Sequence, residues 1–285
     1  MKKALLVGIN YPHTQYALRG CVNDITSVSQ VLINNFGFTE PNSIRMLVDE
    51  SATTANILER LHWLVDGANP GDVLFFGYSG HGTQTINKNY DWDCEPDGLD
   101  ECICPIDLDW REKIITDDML KEIFSKVPNG VNLTVVLDCC HSGDGLRDFE
   151  PPIEMRDNIF GPTRTRALRM PVDIASRSLG KSLDPKPRAL QNSAIVPVED
   201  QTGILISGCK SNETSADAWI QPVQKFQGAL TYTLLSILHE NNYNITYRTL
   251  VETLNKYLEK NGFSQHPELN GKCELFDKPF LQPFV

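Results

Sequence analysis

The stretch that most constrains this chain is Val131 to Gly143, VNLTVVLDCCHSG. Leu133–Leu137 is a short apolar run rich in β-branched residues, the signature of a strand buried on both faces of a parallel sheet. It breaks at once into Asp138-Cys139-Cys140-His141-Ser142-Gly143, which is small, polar and nucleophilic. In open α/β sheets ligands gather outside the carboxyl ends of strands, so reactive groups placed there lie within a substrate's reach. A second run ends the same way: Val73-Leu74-Phe75-Phe76 leads into Gly77-Tyr78-Ser79-Gly80-His81-Gly82. A thiol after one strand and an imidazole after another is the arrangement of a Cys/His nucleophilic enzyme.

The remainder alternates strand and helix. Leu5–Ile9 reads as a strand, and Cys21–Phe36 carries apolar residues at a helical period with Gly37 at its end. Ile44–Val48 is a second strand. Thr53 and Thr54 cap a helix whose apolar face is Ile57, Leu58, Leu61, Leu64 and Val65. Thr116-Asp117-Asp118 opens another helix, and Pro128-Asn129-Gly130 turns into the Cys140 strand. This order predicts an α/β fold with a central, mostly parallel sheet and helices on both faces. Residues 151–200 differ: they are rich in proline, and between Arg156 and Leu190 eight Lys/Arg stand against three Asp. That stretch reads as a basic, mobile linker. Structure resumes at the strand Gly203–Ser207, followed by two amphipathic helices around Leu230–Leu238 and Leu250–Leu258.

With 285 residues the chain can bury a full core. A formal charge of −11 argues against nucleic acid and anionic membranes as partners and favours basic ones. The N-terminal apolar run is cut short by Asn10-Tyr11-Pro12-His13, so it reads as a first strand and no signal peptide is expected, and no run is long enough to span a bilayer. With the chain starting directly at a strand, no long prodomain is expected. Eight cysteines without an export signal are expected to be reduced, in a cytoplasmic protein. Their spacings fit no ordinary zinc site.

Along the Cys140 strand, Asp138 and Cys140 should face one way and Cys139 the other. Cys139 is then the buried thiol, and Cys140, next to the turn, the one that meets solvent and substrate. His81 would be general base and acid, with His141 as a competitor too close in sequence to converge well. The amides of Gly82 and Cys140 are the natural oxyanion donors. Gly77-Tyr78-Ser79-Gly80-His81 approaches the G-x-S-x-G elbow of serine hydrolases, but histidine replaces the final glycine, so Ser79 reads as pocket wall. Between Asp91 and Asp118 eleven carboxylates face only Arg111 and Lys113. They suggest a hard oxygen-ligand site for Ca²⁺, although position 12 of an EF-hand starting at Asp93 would be Cys104, so that loop fails. A solvated acidic loop is the alternative.

Tyr78-Ser79-Gly80-His81-Gly82, Asp97-Gly98-Leu99-Asp100-Glu101 and Asp138-Cys139-Cys140-His141-Ser142-Gly143 together resemble the metacaspases, called orthocaspases in prokaryotes, which are caspase-fold cysteine peptidases. Gly20-Cys21-Val22-Asn23-Asp24, Ser207-Gly208-Cys209 and Thr214-Ser215-Ala216-Asp217-Ala218 extend the resemblance over nearly the whole chain. It implies a caspase-like sandwich, with a p20-like region over 1–150, a self-processing linker over 151–200, and a p10-like region over 201–285 completing the same domain. It implies a His81/Cys140 dyad and an S1 pocket formed by Cys21, Asp24, Ser79 and Asp138. Two carboxylates there would select Arg or Lys before the cut bond, since a buried carboxylate needs a cation. The Q-A-C-x-G signature of true caspases is absent, so cleavage after Asp is not implied.

The family's calcium site maps onto Asp100, Asp117 and Asp118, with Asp144 or Asp148 as a fourth ligand. Self-cleavage candidates in the basic linker are Arg164, Arg166, Arg169, Arg177, Lys181 and Arg188, and the linker is expected to lie across the acidic site before activation. The expected protein is a monomeric, calcium-activated endopeptidase of basic peptides with no organic cofactor. Two alternatives remain from sequence: a catalytically silent caspase-fold scaffold, and a hydrolase built on Ser79.

Overall fold

Alternation along the strands sets the architecture. Leu5, Val7, Leu74, Phe76, Leu133 and Val135 pack into one apolar cluster, while Ala4, Leu6, Val73, Phe75 and Val136 pack into another. A strand that is apolar on both faces must be covered on both, which is the demand a parallel sheet makes. The computed structural model describes residues 1–86, 99–140, 159–171, 174, 203–209 and 213–284.

Six strands form the central sheet in the order β12-β9-β7-β3-β1-β2. β1 (Lys2–Gly8), β2 (Ile44–Val48), β3 (Val73–Ser79), β7 (Asn132–Asp138) and β9 (Gly203–Ser207) run parallel. β12 (Glu268–Gly271) closes one edge antiparallel to β9. Helices α2 (Thr54–Val65) and α3 (Asp117–Phe124) cover the first cluster. Helices α1 (Cys21–Phe36), α4 (Ala229–Glu240) and α5 (Tyr247–Lys260) cover the second. The helix starts obey capping chemistry: Thr53, Thr116 and Thr246 each accept a hydrogen bond from a first-turn amide. Gly37 ends α1 in the left-handed region at φ 69°, a conformation glycine adopts without steric cost.

Two small antiparallel sheets flank the carboxyl ends of β3 and β7. β4 (Gly82–Ile86), β5 (Leu99–Ile103) and β6 (Ile115–Thr116) form one. β8 (Phe160–Thr165), β10 (Ala216–Ile220) and β11 (Lys225–Gly228) form the other. β8 corrects the sequence reading, which took all of 151–200 as linker. Its partner lies about fifty residues further on, so no local pattern announces it. Because the chain passes from β2 back across β1 to β3, the order of the sheet reverses there. The ends of β1, β3 and β7 meet beside that switch point, where α/β sheets bind ligands.

Candidate active site

β3 and β7 are hydrogen-bonded neighbours with Ser79 directly opposite Asp138. Each follows a residue, Tyr78 or Leu137, that packs into the α2/α3-covered cluster, so by alternation both side chains turn toward α1. Asp24, in the first turn of α1, meets them: the Ser79 hydroxyl donates to Asp24 Oδ2 at 2.7 Å. Gly228, where β11 turns into α4, donates its N–H to both Asp24 carboxylate oxygens at 2.9 and 3.1 Å. Asp138 accepts from the Ser215 hydroxyl at 2.6 Å, and from the N–H and hydroxyl of Thr231 at 3.1 and 2.7 Å. Asp217 on β10 accepts from the Arg19 N–H at 2.9 Å. All three carboxylates are buried.

The cation they share is Arg166. Its Nη1 lies 3.1 Å from Asp138, and its Nη2 lies 2.7 Å from Asp24 and 3.0 Å from Asp217. Nη1 also donates to Ser79 Oγ at 2.8 Å. The guanidinium is wholly buried. Burial would lower its affinity for the proton, but Asp138 first, with its neighbours Cys21, Asp24 and Asp217, more than offsets this. On the acid side burial raises the Asp24 carboxyl to about 7 against the pull of Arg166, and Asp138 adds to the rise. Three buried carboxylates around one guanidinium leave the pocket acid-rich even when filled. Cys21 belongs to the same surroundings: burial raises its thiol, and the charge of Arg166 draws it back.

Glycine is required at two places around this pocket. A Cβ on Gly228 would collide with Asp138 Oδ2 and Arg166 Nη1, and one on Gly20 would collide with Asp217 Oδ1.

The backbone of Arg166 is equally well held. Its N–H donates to Ser215 O at 3.1 Å, continuing the β8–β10 pairing. Its carbonyl oxygen accepts from Gly82 N–H at 3.0 Å and from Cys140 N–H at 3.2 Å. Those two amides, one beside the imidazole and the other on the thiol residue, meet at one oxygen. His81 and Cys140 therefore flank a single carbonyl group.

His81 is buried, with Nε2 at 2.7 Å from the Tyr16 carbonyl oxygen. An acceptor there fixes the Nε2–H tautomer and leaves the Nδ1 lone pair available as a base. Nδ1 has no hydrogen-bond partner among the described residues. Burial lowers the imidazole to about 4, with the Tyr16 carbonyl opposing. Two buried tyrosines set the backbone here. The Tyr78 hydroxyl donates to His81 O at 2.7 Å and accepts from Cys104 N–H at 3.2 Å. The Tyr11 hydroxyl donates to Cys104 O at 2.6 Å and accepts from His81 N–H at 3.0 Å.

Cys140 departs from expectation in one respect: it is as buried as Cys139, because Arg166 and Ser215 cover it. Its Sγ accepts from Ser215 N–H and lies 3.6 Å from Ser215 O. Cys139 sits in the core on the α2/α3 side, and burial drives its thiol well above its ordinary range. Ser79 has the Asp24 carboxylate and the Arg166 guanidinium as partners rather than an imidazole, the surroundings of a pocket wall and not of a nucleophile.

Asp100 on β5 and Asp117 at the start of α3 are buried. Burial raises the Asp117 carboxyl to about 8, with Glu101, Asp118 and Asp100 adding their like charges. Asp117 Oδ1 has no hydrogen-bond partner among the described residues. Crowded carboxylates with a vacant oxygen suit a hard cation in their chemistry. No group of three or more His, Cys, Asp or Glu side chains among the described residues is arranged to hold a metal ion. The acidic run 91–98 and the ligand candidates Asp144 and Asp148 lie outside the described residues, as do His141, Arg177, Lys181 and Arg188. Arg164 and Arg169 are exposed, and Arg164 reaches the Ala17 carbonyl at 2.7 Å.

Asp217, Thr231, the Gly228 N–H and the Tyr16 carbonyl escape the sequence reading as site groups. Asp217 was noted only as part of a family motif, although an acid among small residues at a strand start is a usable signal. The Tyr16 carbonyl, a main-chain group, leaves no trace in side-chain chemistry.

A family model described as the metacaspase peptidase C14 domain matches residues 2–148. The chain belongs to the metacaspase family. Metacaspase-1 of Schizosaccharomyces pombe is 35% identical over 291 residues, covering 94% of this chain and 67% of that protein. Metacaspase-1A of Aspergillus oryzae is 33% identical over 303 residues, covering 98% of this chain and 70% of that protein. Among solved structures, protein GSU0716 from Geobacter sulfurreducens superposes with a TM-score of 0.67 at 24% identity, covering 100% of this chain and 99% of that one. Caspase-1 from Spodoptera frugiperda gives 0.53 at 11% identity, over 95% and 85%. The caspase-like α/β architecture expected from the sequence is the one observed, and as a metacaspase the protein is a cysteine peptidase.

Proposed function

We propose that this metacaspase is a calcium-activated endopeptidase that cuts after arginine or lysine, and that its first substrate is its own Arg166–Ala167 bond. One observation carries the reading. Arg166 places its side chain among Asp24, Asp138 and Asp217 while its carbonyl oxygen rests on the Gly82 and Cys140 amides. β8 lies antiparallel to β10 in the manner of an extended peptide added to a sheet edge.

In the proposed reaction the Cys140 thiol passes its proton to His81 Nδ1 as sulfur bonds to the Arg166 carbonyl carbon. The oxyanion is held by the Gly82 and Cys140 N–H groups. The C–N bond to Ala167 then breaks as His81 protonates the leaving amine. Water, deprotonated by His81, hydrolyses the thioester, releasing the Arg166 carboxylate and restoring the thiol. Before attack the sulfur must leave its contacts with Ser215.

Among the described residues, Asp100, Asp117 and Asp118 are not gathered into a metal site in this structure; on activation they would draw together around the calcium ion, which would offset their mutual repulsion. Asp100 pairs with Thr85 on β4, the strand that begins at Gly82, so cation and oxyanion donor would share one small sheet. Basic peptides and proteins would be the substrates of a monomeric, cytoplasmic enzyme. All seven described cysteines are free, in keeping with a reducing compartment. Among the described residues no helix is long and apolar enough to cross a membrane.

Mass spectrometry before and after addition of millimolar calcium tests the reading. Wild-type protein should yield fragments ending at Arg166 and beginning at Ala167, and neither Cys140→Ala nor Arg166→Ala should yield them. Self-cutting by Cys140→Ala, or equal cutting in excess chelator, would overturn it.

A further inference from the structure

The segment leaving the Arg166–Ala167 bond is held as closely as the one entering it. Ala167 forms a parallel bridge with Gly82. Leu168 donates its N–H to Gly82 O at 2.8 Å, and its carbonyl accepts the Thr83 hydroxyl at 2.7 Å. The Leu168 side chain is 6% exposed, within the apolar cluster that also contains Tyr11, Leu18, Ile103 and Cys104. Its neighbours do not share this burial: Ala167 and Met170 are half-buried, and Arg169 is exposed. One side chain on the leaving side is thus inserted, with its backbone fixed on both sides by β4.

Building on the proposed self-cleavage, the geometry points to a second specificity subsite two residues beyond the cut bond, one that takes an aliphatic side chain. Gly82 and Thr83 clamp the substrate backbone at this position, and the apolar cluster beneath β4 receives the side chain. Gly82 therefore serves twice: its N–H faces the oxygen of the cut carbonyl, and its C=O sets the register of the leaving strand. Substrates in trans are peptides of the form Arg-x-Leu, with Ile, Val or Met accepted at the last position and glycine or a charged residue rejected. An Arg-directed site without this subsite would cut almost any exposed arginine. With it, the exposed Arg164 and Arg169 are poor sites, since the residues two positions beyond them are Arg166 and Pro171.

The test uses the calcium-activated full-length protein and internally quenched peptides based on Thr-Gln-Thr-Arg-Ala-Leu-Gln-Met, with the sixth residue changed to Ile, Gly or Asp. The Leu and Ile peptides should exceed the Gly and Asp peptides in kcat/KM by about tenfold or more, the usual discrimination of an apolar pocket. In the whole chain Leu168→Asp should slow cutting at Arg166 by a similar factor, and the peptide series reads the subsite even if that variant folds poorly. Equal rates within twofold across the four peptides would overturn the subsite and leave Arg-directed cleavage standing. Failure to cut any of them would overturn the cleavage reading and the subsite with it.

Discussion

An imidazole that is to act as a base must be neutral, and burial keeps His81 so by lowering it to about 4. The unfolded chain takes up a proton at His81 below about pH 6.5 whereas the folded chain does not until about pH 4, so stability is lost as pH falls through that window. The size is on the order of 3 kcal/mol. Asp24, raised to about 7, acts in the opposite sense, destabilising as pH rises toward 7. Comparing Cys140→Ala with the Cys140→Ala/His81→Asn double variant cancels Asp24. Their difference in denaturant unfolding free energy between pH 7 and pH 4.5 should expose the histidine component. Asp217→Asn removes one ion-pair partner of the bound guanidinium, and should lower kcat/KM on arginine peptides by roughly 10- to 100-fold. Cys140, His81, Asp24, Ser79 and Asp138 stand out in the sequence because they sit at strand ends or in motifs whose residue types have few other uses, and the structure gathers them around Arg166. Asp217 does not, because its role depends on β10 being brought beside α1 by tertiary contacts.

Among the elements, β8 resisted sequence reading most. Phe-Gly-Pro-Thr-Arg-Thr has weak apolar alternation and an internal proline, which favours an edge position, and its pairing partner is far away in sequence. By contrast α1 and α2 carry long periodic patterns, β2 is a short apolar run, and all three are legible to within a residue or two. The β11–α4 junction makes the sharpest prediction at this scale. Gly228→Ala should leave far-UV circular dichroism essentially unchanged, since Gly228 precedes the helix, yet reduce self-cutting by about 100-fold or more. The added methyl would displace Asp138 and the bound guanidinium together.

For the molecule as a whole, the central sheet is assembled from both sides of the proposed cut. β7 pairs with β9, and β9 with β12, while β10 holds β8. α4 and α5 complete the second core cluster along with α1. Cutting at Arg166 severs one covalent bond and none of these contacts. Calcium-treated protein should therefore run as two bands in denaturing gels and elute as a single species at the uncut volume in size-exclusion chromatography. Fragments that part under native conditions would contradict this. Under the proposed cut, the p20-like and p10-like regions would differ only in covalent continuity, since both contribute strands to the one central sheet.

The orientation of the His81 ring depends on an oxygen that every amino acid possesses. The Tyr16 side chain is 47% exposed, so replacing it with alanine should leave turnover nearly intact. The position is indispensable in its path and indifferent in its chemistry. Alanine scanning would report Tyr16 as dispensable, and only a change that reroutes the main chain there would uncover its role.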